Sequence, residues 1–106
     1  MNREERIIYL KNFLLSDPND VFSNYALGIE YFSDENFNEA EKYFKKVLIL
    51  NPKYIACYYQ MGKLFQTKQE NEIALQFLKD GLKLAETIND KKAKNEFEEA
   101  IFLLED

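Results

Sequence analysis

An all-α fold of about six antiparallel helices, arranged as stacked helical hairpins, is predicted by three observations. The first is a repeat with a step of 34 residues: Gly28 pairs with Gly62, Ala40 with Ala74, Tyr25 with Tyr59, Lys45 with Lys79, Leu48 with Leu82 and Leu50 with Leu84, while Tyr31 falls over Phe65 and Phe44 over Leu78. A period of this length is the mark of helix–turn–helix arrays. The second is composition: 3 Gly and 2 Pro leave few sites for hairpin turns, and Leu, Ala, Lys, Glu and Gln fill the intervals between them, which favours helix over strand. The third is that the two prolines, Pro18 and Pro52, stand at the same step as the glycines.

Each element follows from these. Residues 3–16 set Ile7, Leu10, Phe13 and Leu14 on one helical stripe, widened by Ile8 and Leu15, and Asp17-Pro18 ends the segment. Proline disfavours helical geometry in the residue before it, so Asp17-Pro18 and Asn51-Pro52 both act as stops. Aligning on them places Leu10 over Phe44, Phe13 over Val47 and Leu14 over Leu48, so the first helix reads as the second half of a repeat. From Val21 to about Ser33 a second helix carries Phe22, Tyr25, Ala26, Leu27, Ile29, Tyr31 and Phe32. It is apolar around most of its circumference and needs neighbours on both sides.

Asp34-Glu35-Asn36 forms the next turn, and Asn36 with Glu39 has the spacing of a capping box for a third helix running to about Leu50. Its inward stripe is Phe37, Ala40, Tyr43, Phe44, Val47 and Leu48. The fourth helix, about Ile55 to Thr67, repeats the second with Tyr58, Met61, Gly62 and Phe65; the fifth, from about Asn71, repeats the third with Ala74, Leu75, Leu78, Gly81 and Leu82. Glu86 replaces the proline stop, so the fifth helix is expected to continue towards Asn89. After a turn at Asn89-Asp90, a last helix from Lys91 to about Leu104 pairs Ala93, Phe97, Ala100, Ile101 and Leu104 with a face of Lys92, Asn95, Glu96, Glu98 and Glu99. Such a polar-backed helix suits the exposed end of a solenoid. The expected organisation is one domain: a leading half-repeat helix (1–20), two repeats (21–54 and 55–88) and a capping helix (89–106).

Residues 21–54 resemble a tetratricopeptide repeat (TPR), whose pattern is an aromatic, two residues, Leu-Gly, two residues, Tyr, then Ala, three residues, Phe, then Pro. Leu27-Gly28 with Tyr31, Ala40 with Phe44, and Pro52 match in identity and spacing, whereas Asn24 stands where the aromatic is expected. Residues 55–88 match more loosely through Tyr58, Met61-Gly62, Phe65 and Ala74, with Leu78 in place of Phe and no proline. The resemblance implies a right-handed α-α superhelix in which Leu27, Gly28, Tyr31, Ala40, Phe44, Pro52, Met61, Gly62, Phe65, Ala74 and Leu78 serve repeat packing. A mid-helix glycine costs about 1 kcal/mol against alanine, so two at one period imply a close approach of helices that outweighs the cost.

The resemblance also implies a concave face lined by the first helix of each hairpin. Matching positions are Phe22, Tyr25, Ile29 and Phe32 in the first repeat and Tyr59, Gln60, Lys63 and Gln66 in the second. The function it implies is protein–protein interaction, as an adaptor or scaffold that holds a peptide or partner helix in a largely apolar groove. Two other readings stay open: a neighbouring helix covers these rings and makes them core, or the same patch joins two copies in a homodimer. A cationic clamp for acidic C-terminal tails is missing from these positions, where Lys63 is the one cation, so an apolar or mixed segment is preferred.

Other function classes find little support. The net charge is −5 and no segment is strongly basic, which argues against nucleic acid and anionic membrane surfaces as partners. There is no histidine, which removes the usual general base and the Ser/His and Cys/His pairs, so an enzyme is not expected. No metal or other cofactor is expected either. Adjacent carboxylates such as Glu4-Glu5, Asp34-Glu35 and Glu98-Glu99 fan outward into solvent. Cys57, the one cysteine, is either a small buried hydrophobe or a reactive thiol. With no signal-like or membrane-spanning run, the expected location is cytoplasmic.

Overall fold

The computed structural model describes residues 1–105, and among them it contains six helices and no strand. They are α1 (Arg3–Ser16), α2 (Val21–Ser33), α3 (Phe37–Leu50), α4 (Ile55–Thr67), α5 (Asn71–Thr87) and α6 (Lys91–Glu105). The chain divides at Pro52 into two compact units, Met1–Pro52 with α1 to α3 and a second from Lys53 onward with α4 to α6.

The helix ends show which side chains compete for backbone groups. At α1, Asn2 and Glu5 form a complete capping box: Asn2 Oδ1 accepts from the Glu5 N–H at 2.9 Å, and the Glu5 carboxylate accepts from the Asn2 N–H at 3.3 Å. At α3 only half of the expected box forms, Asn36 Oδ1 accepting from the Glu39 N–H at 3.4 Å. The reason is that the Asn36 N–H already donates to the Tyr31 carbonyl at 2.9 Å, so Glu39 has no cap donor to take. At α2 the Asp20 carboxylate accepts from the Ser23 hydroxyl and the Ser23 N–H, and these two bonds hold its carboxyl below the usual range.

Three turns share one geometry. Glu35, Gln69 and Asn89 have φ of 58°, 62° and 58°, and the next N–H in each case reaches back five residues: Asn36 to Tyr31, Glu70 to Phe65 and Asp90 to Ala85. These left-handed turns satisfy carbonyls that the helix ends would otherwise orphan. They also fold each following helix back on the one before it.

The glycines then set how closely the helices approach. A methyl placed on Gly28 would overlap the Phe44 ring, one on Gly62 the Leu78 side chain, and one on Gly81 the Phe97 ring. In all three pairs the large residue lies 16 positions after the glycine, and an alanine, Ala40, Ala74 or Ala93, lies 12 after it. The third pair shows that α5 serves twice, as the partner of α4 and as the glycine-bearing helix against α6. The last helix is therefore part of the core: Phe97 is 2% exposed and clusters with Leu78 and Ala85, packed about by Tyr58, Tyr59, Leu82 and Ala100.

In the first unit Leu27, Tyr31, Ala40, Phe44 and Val47 are buried, and Tyr31 stacks on Tyr43 with ring centroids 5.7 Å apart. In the second, Cys57, Met61, Leu64, Phe65, Ala74 and Leu78 are buried, and Phe65 stacks on Phe77 at 5.6 Å. Ten of the eleven residues expected to serve packing are buried; Pro52 is exposed and acts as a helix stop. The apolar stripe of α1 is narrower than its sequence suggests. Ile7, Leu10 and Leu14 are half-buried, whereas Phe13, expected on the same stripe, is exposed together with Ile8 and Leu15, because α1 packs on α2 and leaves its outer face to solvent. Arg6–Glu30 at 2.7 Å and Arg3–Asp34 at 3.1 Å fix its antiparallel direction, each exposed pair adding at most about 1 kcal/mol.

Cys57 is fully buried, and that burial pushes its thiol from 9.0 up to about 12, as suits a small buried hydrophobe rather than a reactive thiol. Burial likewise raises the Tyr54 and Tyr58 hydroxyls. The unfolded chain therefore loses these protons before the folded one does, so stability is intact below pH 9 and is lost as pH rises towards the folded value. Urea titrations at pH 8 and pH 10.5 are expected to show a lower midpoint at the higher pH, with Cys57→Ala removing part of the difference. Iodoacetamide at pH 8 is expected to label Cys57 only when the protein is unfolded.

Candidate functional site

The α2 face predicted to bind divides into open and supported rings. Phe22 is 67% exposed, while Tyr25, Ile29 and Phe32 are half-buried. Tyr25 leans on Phe44 with centroids 5.8 Å apart, and Phe32 meets Phe37 and Phe44 edge-on at 5.9 and 6.4 Å. The helical step explains the division. Phe22 and Ile29 are two turns apart on one stripe, and Tyr25 and Phe32 sit at the margin where α3 begins to cover them. There is no charge among these four side chains.

The second unit is built differently, because α6 flanks the corresponding face of α4. Tyr59 meets Phe97 edge-on at 5.9 Å, and Lys63 Nζ lies 5.7 Å from the Tyr59 ring centre. Tyr59, Lys63 and Gln66 line one wall of a cleft of about 200 Å³ whose other wall is Glu96, Glu99, Ala100 and Leu103. A second cleft of similar volume shares Tyr59 and Glu96 and adds Ile55, Asp90 and Lys92. Gln60 is half-buried and lines neither.

Glu96, Glu99 and Leu103 also line this site, although the sequence pattern sets the two glutamates on the polar back of α6 and gives Leu103 no role. The signal that places them is the third glycine. Gly81, Ala93 and Phe97 repeat the spacing of Gly28, Ala40 and Phe44, which turns Phe97 inward and fixes the register of α6. The α4–α6 cleft is thus mixed in charge, with Lys63 and Lys92 against Asp90, Glu96 and Glu99. This disfavours an acidic ligand there.

Among the described residues no group of three His, Cys, Asp or Glu side chains could hold a metal ion, and no helix is long and apolar enough to cross a membrane. The chemistry these faces offer is apolar burial, ring contact and a few charge contacts.

Comparison with known proteins agrees with this geometry. Residues 23–54 match the model of the tetratricopeptide repeat family. The crystal structure of a tetratricopeptide repeat domain protein from Salinibacter ruber superposes with a TM-score of 0.75 at 27% identity, covering 81% of this chain and 96% of that one. The solution structure of a tetratricopeptide repeat domain protein from the same organism gives 0.78 at 28% identity, over 84% and 90%. A protein from Bordetella parapertussis gives 0.83 at 22% identity, over 92% and 85%, and shows likeness of fold. No curated protein matches the sequence.

Proposed function

We propose, for a chain whose residues 23–54 match the tetratricopeptide repeat model and whose fold is like that of tetratricopeptide repeat domain proteins, that it is a non-catalytic binding module taking an apolar or mixed peptide, or a partner helix, on the α2 face led by Phe22. Proteins of this repeat class generally mediate protein–protein interaction. The observation that carries the proposal is that Phe22, an aromatic ring 67% exposed, stands beside half-buried Tyr25, Ile29 and Phe32, of which Tyr25 and Phe32 rest on Phe44. Aromatic anchors of this kind give large contact area at low entropic cost. In the second unit, Tyr59, Lys63 and Gln66 with Glu96 and Glu99 suit a partner bearing both charge signs.

Peptides selected from a random library against the protein test this. Phe22→Asp is expected to reduce their affinity at least about tenfold, the loss of one good anchor, with the denaturation midpoint unchanged. Equal affinity in the variant would remove the α2 face from the proposal. Light scattering across a wide concentration range separates the competing outcome: a dimer in wild type that Phe22→Asp dissolves would assign the patch to self-association.

A further inference from the structure

Asn24 is anomalous in its own repeat. It precedes Gly28 by four residues, as Tyr58 precedes Gly62 and Phe77 precedes Gly81, so it occupies a register that elsewhere in this chain holds an aromatic ring. Its side chain is nevertheless fully buried. Nδ2 donates to the Asp20 carbonyl at 2.8 Å and the Pro18 carbonyl at 3.2 Å, which fixes the orientation of the amide, since the reverse would set three oxygens together. Oδ1 is left buried with no donor. Natural proteins rarely tolerate such an acceptor without a partner.

Beside it lies an open pocket of about 370 Å³ within the first unit, lined by Asn24, Leu14, Tyr43, Lys11, Lys42 and Lys46 among others. That volume is within the range of ligand sites, roughly 300–1,000 Å³. Lys11 Nζ lies 5.6 Å from the Tyr31 ring centre and Lys42 Nζ 5.6 Å from that of Tyr43, so two of the three ammonium groups already rest on aromatic faces. Lys46 occupies the register of Asp80, whose charge acts on Tyr58 in the second unit. Where the second unit pairs a ring with a carboxylate, the first offers a ring-sized space with cations. Phe22 is about half a helical turn away round α2, so this pocket is separate from the proposed docking face.

We propose that the pocket receives one aromatic side chain with its own N–H or O–H donor, tryptophan or tyrosine, from an acidic segment of a partner protein. The ring supplies the bulk that Asn24 lacks, its donor satisfies Asn24 Oδ1, and the flanking carboxylates meet Lys11, Lys42 and Lys46 with cation–π contact to the ring.

The test uses the full chain and the probe acetyl-Glu-Asp-Trp-Glu-amide, followed by amide NMR and calorimetry. Expected are shifts concentrated on the Asn24 side-chain amide and on residues 42–46, an affinity that falls with salt, and a loss of at least about tenfold when alanine replaces the peptide tryptophan. Asn24→Tyr, which fills the space as Tyr58 does, is expected to abolish binding. Lys42→Gln/Lys46→Gln, at surface positions outside the core, is expected to weaken it several-fold and keeps the proposal testable if Asn24→Tyr does not fold. Phe22→Asp is expected to leave binding intact, which separates this site from the docking face. No shifts at millimolar peptide, or equal binding by both the Asn24 and the lysine variants, would overturn the proposal and leave Asn24 Oδ1 as a group that water satisfies.

Discussion

Gly28→Ala is expected to destabilise the protein by about 1–3 kcal/mol, the range for overpacking a filled core, although the same change at a free helical position stabilises by about 1 kcal/mol. The sign reverses because the new methyl meets the Phe44 ring. That ring is fully buried, with Tyr25 and Phe32 against it, so it has nowhere to retreat. Urea denaturation of Gly28→Ala, Phe44→Leu and the double variant measures this directly. The smaller side chain gives the methyl room, so the two changes together are expected to cost less than their sum. Additive effects would mean that the glycine and the ring do not meet.

Phe97→Ala is expected to cost about 3–5 kcal/mol, as removal of a buried aromatic does. Phe97 lies against Gly81 and supports Tyr59, so its loss empties the α5–α6 contact and frees the wall of the α4–α6 cleft. Hydrogen exchange is expected to show α6 amides losing protection together with those at the end of α5. A detachable polar cap would instead lose α6 with a global cost below about 1 kcal/mol, the size of a surface change.

The helices were legible in the sequence where a boundary has a local cause: Pro18 and Pro52 follow the ends of α1 and α3, and the glycine repeat sets the phase between them, whereas α4 and α5 begin without a side-chain cap. What was illegible depended on competition or on tertiary register. The Asn36 box stays half formed because the Asn36 N–H is committed to Tyr31, a consequence of the left-handed turn at Glu35. The core role of α6 does not show in a 34-residue repeat, because Gly81 follows Gly62 by only 19 and α5 is shared between hairpins. On α2, the face was legible but its division was not: Phe22 and Phe32 have the same composition-level weight, and only the approach of α3 decides which ring is free. Ile8 and Leu15 are exposed for the same reason, since an apolar stripe in the sequence does not determine how much partner surface it meets.

The central claim is that α2 separates residues that hold the fold from residues free to dock a partner, and one paired measurement tests it. Phe22→Ala and Phe32→Ala are compared for denaturation midpoint and for affinity to a library-selected peptide. Predicted is a stability change within about 0.5 kcal/mol for Phe22→Ala with clear loss of binding, against a loss of roughly 1–3 kcal/mol for Phe32→Ala, whose ring is only partly buried. A cost above about 2 kcal/mol for Phe22→Ala would place that ring in the core, and with unchanged peptide affinity it would contradict the account.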